Sequence, residues 1–349
     1  MTRSDRSPHG GGIPSGVARI AVDLLGGDGA PAVVVDGALR ACSADPDLHL
    51  VLVGPQPSAD EVVGALAVSD RERVSVIAVD AVIGMADSPL RNIRRETTVR
   101  AAAEAVYTGR ADAMVSAGSS GGAVAASAHV LGRLRGVRRP GLAAQVPTER
   151  GPVLLVDVGV TLDATMLELV QHAVLGTAFA SVGLGIARPR VGLLSIGSEP
   201  GKGDRLRRAV SIALSDIRLP AGGRYVGLVE GFDVPRGGPA DVVVTDGFTG
   251  NILLKGIEGA FTVSHGGFKI SDVYGTRPRE AAVLLGVAGD VVVCHGSAGG
   301  AEVADGIALA ARLHRDRIIP AVAGIADDLL TELSSAGGLT IRDALGERS

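Results

Sequence analysis

The sequence predicts a doubly wound α/β fold, in which a mostly parallel sheet lies between two layers of helices. Short runs of Val, Ile, Leu and Ala recur along the chain, and segments with helical spacing separate them. Nearly every apolar run ends in Gly, Asp or Ser before the next helical segment. Because strands buried on both faces read as continuous apolar runs, this alternation predicts three layers in the order α/β/α.

The predicted elements follow one another in a regular order. The eight apolar runs predicted as strands are residues 17–23, 48–54, 73–79, 111–118, 153–159, 190–197, 240–247 and 290–296. Helical spacing is found at residues 97–108, 121–135, 163–182, 203–215 and 299–315. Ligands of such sheets bind outside the carboxyl ends of the strands, so the functional site is expected where the runs end.

Two segments fall outside this alternation. Residues 1–16 are rich in Gly, Ser and Pro and predict a disordered tail, so residues 17–349 are expected to form a single domain. Residues 261–280 follow neither the helical nor the strand period. They predict a loop or a short excursion from the sheet.

The composition excludes several classes of function. The 349 residues carry a formal net charge of -4 and no Trp, which argues against a nucleic-acid partner that needs basic patches and stacked aromatics. Two cysteines are too few for a disulfide framework or a Cys-based metal site. The apolar runs fall short of the ~20 residues that span a bilayer, and the first residues lack the apolar core of a secretory signal. We therefore expect a cytoplasmic protein.

One loop has the composition of an anion site. The segment SAGSSGG (116–122) leaves a strand and enters an Ala-rich helix through Gly118, Ser119, Ser120 and Gly121. Backbone N–H groups at such a helix start suit an anion such as phosphate. An ordinary turn with a Ser N-cap explains the same residues equally well.

Two further loops place polar side chains between a strand and the next helix. The segment IGSEPGKGDRL (196–206) places Lys202 among glycines, but it lacks the spacing and the Ser or Thr of a nucleotide-binding P-loop. The segment TDGFTGN (245–251) ends a strand at Asp246 and places Asn251 in the first turn of the next helix. The Asn251 amide suits either a helix cap or the stabilisation of a developing oxyanion.

The last apolar run is followed by His295 and Ser297, within CHGSAGG (294–300). A phosphate-binding histidine and a satisfied structural histidine explain this position about equally well. The chain has no nucleophile elbow, no HExxH and no paired-His spacing. Covalent and zinc mechanisms therefore lack support.

Taken together, these motifs resemble those of the acyl-ACP:phosphate acyltransferase family, in the same order over almost the whole chain. The segments that carry the resemblance are AVDLLGGDGAP (21–31), IGMADSPLRNIRR (83–95), SAGSSGG (116–122), DVGVTLDATMLELVQHAVLG (157–176), RVGLLSIGSEPGKGD (190–204), YVGLVEG (225–231) and VVVTDGFTGNILLK (242–255). The resemblance adds Gly27, Asp28, Asp157 and Gly250 to the expected substrate-binding residues.

The resemblance implies an isocitrate/isopropylmalate dehydrogenase-like fold, a homodimer, and a reaction of an acyl carrier protein thioester with inorganic phosphate to give an acyl-phosphate. Phosphate held at 118–122 attacks the thioester carbonyl, with Lys202 as an electrophilic or phosphate clamp and Asn251 as the oxyanion donor. This reaction requires neither a metal nor an organic cofactor. Three alternatives stay open. They are a phosphate acyltransferase that uses acyl-CoA, a paralogue acting on an unusual carrier protein, and a catalytically silent module that binds acyl carrier protein.

The chain departs from the family's motifs at polar positions inside the expected site. The replacements are Gly29 for His, Ser119 and Ser120 for an Asn-Thr pair, Thr161 for Asn, and Asp204 for Asn. The family's long amphipathic excursion is cut to residues 261–282, where glycines and a proline interrupt any helix. Too little apolar surface remains on one face for peripheral attachment, so weak or no membrane association is expected.

Overall fold

Residues 16–83, 94–148, 150–262 and 281–335 are described by the structure, a computed structural model. Within these ranges the chain forms one sheet of eleven strands and nine α-helices. The strands are β1 (Ala18–Asp23), β2 (Leu48–Gly54), β3 (Val74–Ala78), β4 (Ala113–Ser116), β5 (Gly141–Val146), β6 (Val153–Val156), β7 (Arg190–Leu194), β8 (Arg224–Val229), β9 (Val242–Val244), β10 (Ala281–Leu285) and β11 (Asp290–Cys294). The helices are α1 (Ala32–Ala44), α2 (Gln56–Ala65), α3 (Thr98–Tyr107), α4 (Ser120–Val130), α5 (Met166–Leu184), α6 (Arg205–Asp216), α7 (Gly247–Thr262), α8 (Gly300–Arg315) and α9 (Ile318–Ser335).

The sheet contains two parallel sets of strands that run in opposite directions. Its order is β3-β2-β1-β4-β11-β10-β5-β6-β9-β7-β8. The first five strands are mutually parallel, and so are the last four. Between them, β10 is antiparallel to both β11 and β5, and β5 is antiparallel to β6. Three reversals separate the two sets, so their carboxyl ends lie at opposite edges of the sheet.

The strand predictions are confirmed, with three additions. All eight predicted runs form strands, namely β1–β4, β6, β7, β9 and β11. The sequence pattern misses β5, β8 and β10. The reason is clear for β5, because GLAAQV mixes Gly, Ala and Gln and does not read as an apolar run. One expectation is wrong: β3 is half-exposed rather than buried on both faces, because it is an edge strand.

The five predicted helical segments are also present, as α3, α4, α5, α6 and α8. Helix α4 ends at Val130, five residues before the predicted end, and the chain turns at Gly132. Helix α5 begins with a capping box, in which Thr165 Oγ1 accepts the Glu168 N–H at 3.3 Å and Glu168 Oε2 accepts the Thr165 N–H at 2.8 Å. The predicted tail up to residue 15, residues 84–93 of one family motif and residues 263–280 of the shortened excursion lie outside the described residues.

Helix α5 is the central helix of the core. By length and composition it could cross a membrane, but 83% of its apolar window is buried inside the protein. It packs against α9, α6 and the strands of the second parallel set. A helix that is apolar all round is expected in such a position, because every face contacts other elements.

Candidate functional site

The carboxyl ends of the two parallel sets carry two separate groups of polar residues. We call the edge where β1, β4 and β11 end the first edge, and the edge where β6, β9 and β7 end the second edge. The expected site residues on the first edge are Gly27, Asp28, Gly118, Ser119, Ser120, Gly121, His295 and Ser297. Those on the second edge are Asp157, Lys202, Asp246, Gly250 and Asn251.

Asp23, the last residue of β1, holds the first edge together. Its buried carboxylate accepts hydrogen bonds from Ser116 Oγ at 2.7 Å and from the Leu25 N–H at 3.3 Å. Burial raises the pKa of the Asp23 carboxyl group above its ordinary value, although these hydrogen bonds act in the opposite direction. Ser116 Oγ in turn accepts the Gly118 N–H at 3.1 Å. The Gly118 N–H, expected to contact phosphate, is therefore committed to Ser116.

The N-terminus of α4 offers three backbone donors. Ser119 Oγ accepts the Gly122 N–H at 3.4 Å, so Ser119 is the N-cap of this helix. The N–H groups of Ser119, Ser120 and Gly121 make no hydrogen bond within the described part of the chain. We call these three N–H groups the cradle. The cap interpretation of this loop is thus confirmed, and the anion interpretation retains three donors.

Close packing between loops explains the glycines of the first edge. A Cβ atom at Gly26 would lie 2.6 Å from the backbone nitrogen of Gly118. A Cβ atom at Gly27 would lie 3.2 Å from the carbonyl oxygens of Ala117 and Gly296. The loops after β1, β4 and β11 therefore contact one another through their backbones.

His295 and Ser297 lie on the loop after β11. His295 Nδ1 and Ser297 Oγ are 2.6 Å apart, and the Ser297 N–H donates to the same nitrogen at 3.2 Å. Burial and the Lys255 ammonium group lower the pKa of His295, whereas Asp28 acts in the opposite direction. The Asp28 N–H donates to the Gly296 carbonyl at 2.7 Å. This contact brings Asp28 and the His295 loop together.

On the second edge, Asp157 is a structural carboxylate. It is fully buried, and both of its oxygens accept backbone N–H groups. The donors are Leu142 at 3.0 Å, Gly159 at 3.1 Å, Val160 at 3.1 Å and Thr161 at 2.6 Å. Asp157 thereby fixes the turn after β6 and joins it to the start of β5.

Asn251 connects this turn to α7. Its Nδ2 donates to the Val158 carbonyl at 2.9 Å, which leaves the second N–H of the amide for another acceptor. Gly250 lets the helix approach, because a Cβ atom there would lie 1.9 Å from the Asp157 carbonyl oxygen. The sequence pattern placed Asn251 in the first turn of a helix; in the structure it is the fifth residue of α7, at the start of the second turn.

An ion pair between Arg207 and Asp246 joins the start of α6 to the end of β9. The Arg207 guanidinium group donates to Asp204 Oδ2 at 2.7 Å and to Asp246 Oδ2. The backbone N–H of Arg207 donates to Asp204 Oδ1 at 2.7 Å. Asp246 also accepts the Thr249 N–H and hydroxyl, each at 2.8 Å. Burial raises the pKa of Asp246, but Thr249 and Arg207 outweigh it, so the net pKa lies below the ordinary value.

Lys202 lies in the loop that this ion pair anchors. Gly201 and Gly203 on either side both have φ of +88°, a conformation that favours glycine. The Lys202 N–H donates to the Glu199 carbonyl at 3.2 Å, and its side chain is exposed. The loop is therefore a defined turn that presents the lysine to solvent beside Asp204.

The structure corrects one expectation, that phosphate at 118–122 and Lys202 act together within one chain. Strands β4 and β7 are six positions apart in the sheet, which is roughly 29 Å at about 4.8 Å per strand. They also end at opposite edges. No sequence pattern indicated this separation, because an apolar run does not reveal the direction of its strand.

Sequence reasoning missed three residues that organise the two edges. Asp23 and Ser116 end their strands within quoted motifs, and their position at strand ends was the available signal. Arg207 offered no such signal, because an arginine in the first turn of a helix is usually a solvated charge. No group of three or more His, Cys, Asp or Glu side chains that could hold a metal occurs among the described residues.

Comparison with known proteins places this chain in a family. The family model described as "Fatty acid synthesis protein" matches residues 18–266. A phosphate acyltransferase of Pseudomonas putida (strain GB-1) is 40% identical over 306 residues, which cover 80% of this chain and 89% of that protein. A phosphate acyltransferase of Bacillus thuringiensis (strain Al Hakam) is 34% identical over 332 residues, covering 88% and 98%.

Solved structures of low sequence identity share the fold. A phosphotransacetylase from Streptococcus pyogenes aligns with a TM-score of 0.58 at 16% identity, covering 87% of this chain and 94% of that one. A putative 4-hydroxythreonine-4-phosphate dehydrogenase from Salmonella typhimurium aligns with a TM-score of 0.52 at 16% identity, covering 85% and 99%. These likenesses confirm the three-layer α/β fold with its mostly parallel sheet. Because the family model spans most of the chain and the named relatives align with at least 80% of it, the chain belongs to the fatty acid synthesis protein family.

Proposed function

We propose that this protein transfers an acyl group from the thioester of acyl carrier protein to inorganic phosphate, giving an acyl-phosphate. The match of residues 18–266 to the fatty acid synthesis protein family carries the proposal, since the relatives at 40% and 34% identity are named phosphate acyltransferases. Their names specify phosphate and an acyl group. The family's link to fatty acid synthesis favours a carrier-protein thioester over acyl-CoA. A silent binding module is disfavoured because the relatives are enzymes.

The proposed step needs little covalent chemistry from the protein. A phosphate oxygen attacks the thioester carbonyl, the carbonyl carbon forms the new C–O bond, and the C–S bond breaks as the pantetheine thiolate leaves. A thiol with an ordinary pKa of ~8.5 is a good leaving group, so a strong general acid is not required. The protein contributes by positioning the two reactants and by stabilising the oxyanion.

We assign the acyl half of the reaction to the second edge. Lys202 supplies an exposed positive charge on a defined turn, and Asn251 retains one amide N–H beyond the one donated to Val158. Asp246 and Arg207 hold the two loops at their observed separation. In this proposal Lys202 and Asn251 contact the thioester oxygen, and the ion pair positions them.

We assign phosphate to the cradle on the first edge, beside His295 and Ser297. Because phosphate must reach bonding distance of the thioester, this assignment requires the cradle of one copy to face the Lys202 loop of a second copy. The homodimer that the resemblance implies is thus part of the proposal.

Mixing two inactive variants tests it: Ser120→Glu repels phosphate at a helix start that tolerates an acidic residue, and Lys202→Ala removes the clamp. An equimolar mixture should regain about a quarter of the wild-type rate, because half of its dimers are heterodimers and each heterodimer has one intact site of two. No recovery would place both substrates on one copy.

The function itself is tested with purified protein, acyl carrier protein thioester and inorganic phosphate. We expect loss of the thioester that depends on phosphate, with a product that hydroxylamine traps as a hydroxamate. Omitting phosphate is the control, and the same acyl group on CoA tests the alternative donor. Thioester loss that does not depend on phosphate, or no turnover of either donor, would refute the proposal.

A further inference from the structure

A second cavity, with a volume of about 700 Å³, lies where β5 begins, between the loop that joins α4 to β5 and the start of α5. We call it the arginine cavity. The charged residues that line it are Arg133, Arg138, Arg139, Asp163 and Glu168. Strand β5 is three positions from β7 in the sheet, which is roughly 14 Å at about 4.8 Å per strand. The arginine cavity is therefore separate from the Lys202 loop, and none of its charged residues takes part in the proposed reaction.

The positive charges of the arginine cavity are only partly compensated. Arg139 Nε lies 3.3 Å from Glu168 Oε1, so these two charges are paired. Arg133 and Arg138 form no ion pair with a carboxylate among the residues that the structure describes. Asp163, an exposed residue, offsets part of their charge. Two guanidinium groups thus remain available to a bound anion.

Buried contacts fix the loop that carries these arginines. The Arg138 N–H donates to Gln171 Oε1 at 2.9 Å, and Gln171 Nε2 donates to the Gly136 carbonyl at 2.7 Å. Gln171 is fully buried in α5. A Cβ atom at Gly136 would lie 2.5 Å from the Leu330 carbonyl oxygen, so the loop also packs closely on α9. Because the backbone is already ordered, a ligand that binds the arginines loses less affinity to ordering the loop.

The chemistry of the cavity favours phosphate groups. A guanidinium group matches two oxygen atoms of a phosphate through parallel hydrogen bonds. Two guanidinium groups without carboxylate partners suit a ligand with two phosphate groups. The volume lies within the ~300–1,000 Å³ range of small-molecule sites, and the concave shape favours a small molecule over the acidic face of another protein.

We propose that the arginine cavity binds a small anion with two adjacent phosphate groups, with Arg133 and Arg138 as the residues that contact them. The inference goes beyond the proposed function, because neither the acyl group nor inorganic phosphate is assigned to this cavity. A free nucleotide and CoA both carry such a diphosphate, so the two sources have to be compared directly.

Calorimetric titration of the full-length protein with pyrophosphate, ADP, CoA and inorganic phosphate tests the ligand class. Every titration uses a chain that carries Ser120→Glu, so that the cradle on the first edge does not contribute. Pyrophosphate and ADP should each bind one site per chain, and inorganic phosphate at least about tenfold more weakly, because it lacks the second phosphate group. Equal affinities for ADP and CoA would identify the diphosphate itself as the recognised group, and tighter binding of CoA would identify CoA as the source. No binding of pyrophosphate, or equal affinities for pyrophosphate and inorganic phosphate, would overturn the proposal.

Three substitutions in the same background test the location. Arg138→Ala should weaken pyrophosphate binding at least about tenfold, because charge-assisted hydrogen bonds are lost. Asp163→Asn should strengthen binding, because it removes the opposing charge. Arg135→Ala is the matched control and should leave the affinity unchanged: Arg135 is an exposed arginine of the same loop that does not line the cavity and lies 3.8 Å from Asp327.

Melting curves without ligand check that each variant is folded. If Arg138→Ala does not fold, Asp163→Asn and Arg133→Ala still test the location, because they should change the affinity in opposite directions. Equal losses for Arg135→Ala and Arg138→Ala would overturn the proposal and identify a general attraction of anions to a basic loop. Weaker binding by Asp163→Asn would likewise overturn it.

Discussion

Replacing Arg207 by Ala should destabilise the protein and slow the reaction, because this side chain links the Lys202 loop to the start of α7. The Arg207 side chain is 15% exposed and its partner Asp246 9%, so the pair is largely desolvated. Breaking such a pair usually costs about 3–5 kcal/mol. In the Arg207→Ala variant Asp246 keeps both hydrogen bonds from Thr249. The lost ion pair with Asp204 contributes little to stability, because the Asp204 side chain is 55% exposed. We therefore expect a loss of about 2–3 kcal/mol in the free energy of unfolding.

The pH dependence of this loss has a defined sign. The pKa of Asp246 is lowered in the folded protein, so its ionised form stabilises the fold above the unfolded pKa, and that contribution is lost as the pH falls through the folded pKa. Arg207 favours the ionised carboxylate. The difference between Arg207→Ala and wild type should consequently be largest at neutral pH and shrink in acid.

Urea unfolding at neutral and acidic pH measures both effects. Arg208→Ala is the matched control, because Arg208 is the exposed neighbour on the same helix. Arg207→Lys keeps a charge but not the two-pronged geometry, and it should recover part of the stability and of kcat per folded molecule. An Arg207→Ala loss equal to that of Arg208→Ala, or one that does not vary with pH, would refute the positioning role.

Four further predictions address single groups. Lys202→Ala should lower turnover at least ~tenfold with an unchanged melting curve, because its charge is exposed and supports no packing; a wild-type rate in the folded variant would contradict this. Asn251→Ala should reduce the chemical step by ~10²-fold. It should also lose about 1 kcal/mol of stability with the bond to Val158; an intact rate per folded molecule would make Asn251 a structural residue only. Burial, and then the charge of Asp112, raise the pKa of Asp290 to about 7. The wild-type protein should therefore lose stability as the pH rises from ~4 through 7. In urea titrations Asp290→Asn should remove this pH dependence and raise the free energy of unfolding by roughly 2–4 kcal/mol at pH ~8. Lys255→Ala should raise the pKa of His295 in an NMR titration, and an unchanged pKa would show that the two groups do not interact.

Much of the fold could be predicted because buried strands have a simple sequence signature. LHLVLVG is apolar along most of its length, interrupted by His49, and β2 occupies all seven of its residues. Strand direction has no comparable signature. The reversals depend on β5 and β10, and GLAAQV lacks a continuous apolar run. The three-layer class was therefore predictable, whereas the division of its strand ends between two edges was not.

In the site, too, the sequence predicted where several residues lie but not which groups they contact. Asp157, Asp246 and Asn251 were placed correctly at strand and helix ends. The pattern could not show that five backbone hydrogen bonds occupy the Asp157 carboxylate, since the donors include Leu142 on a strand that the pattern missed. It could not show Arg207 either, because the pairing with Asp246 joins residues 39 positions apart.

The hydrogen bonds at the positions that depart from the family's motifs explain why several of these replacements are tolerated. Asp204 replaces an Asn, and its Oδ1 caps α6 through the Arg207 N–H; Asn and Asp are about equally good N-caps, so the cap survives the replacement. The added negative charge is paired with the Arg207 guanidinium. Ser119 also replaces an Asn and caps α4, another exchange within the set of good N-cap residues. At Thr161 the bond to Asp157 comes from the backbone N–H, which any side chain preserves. Three of the replacements thus keep the local bonds of the loops, which argues against a collapsed site.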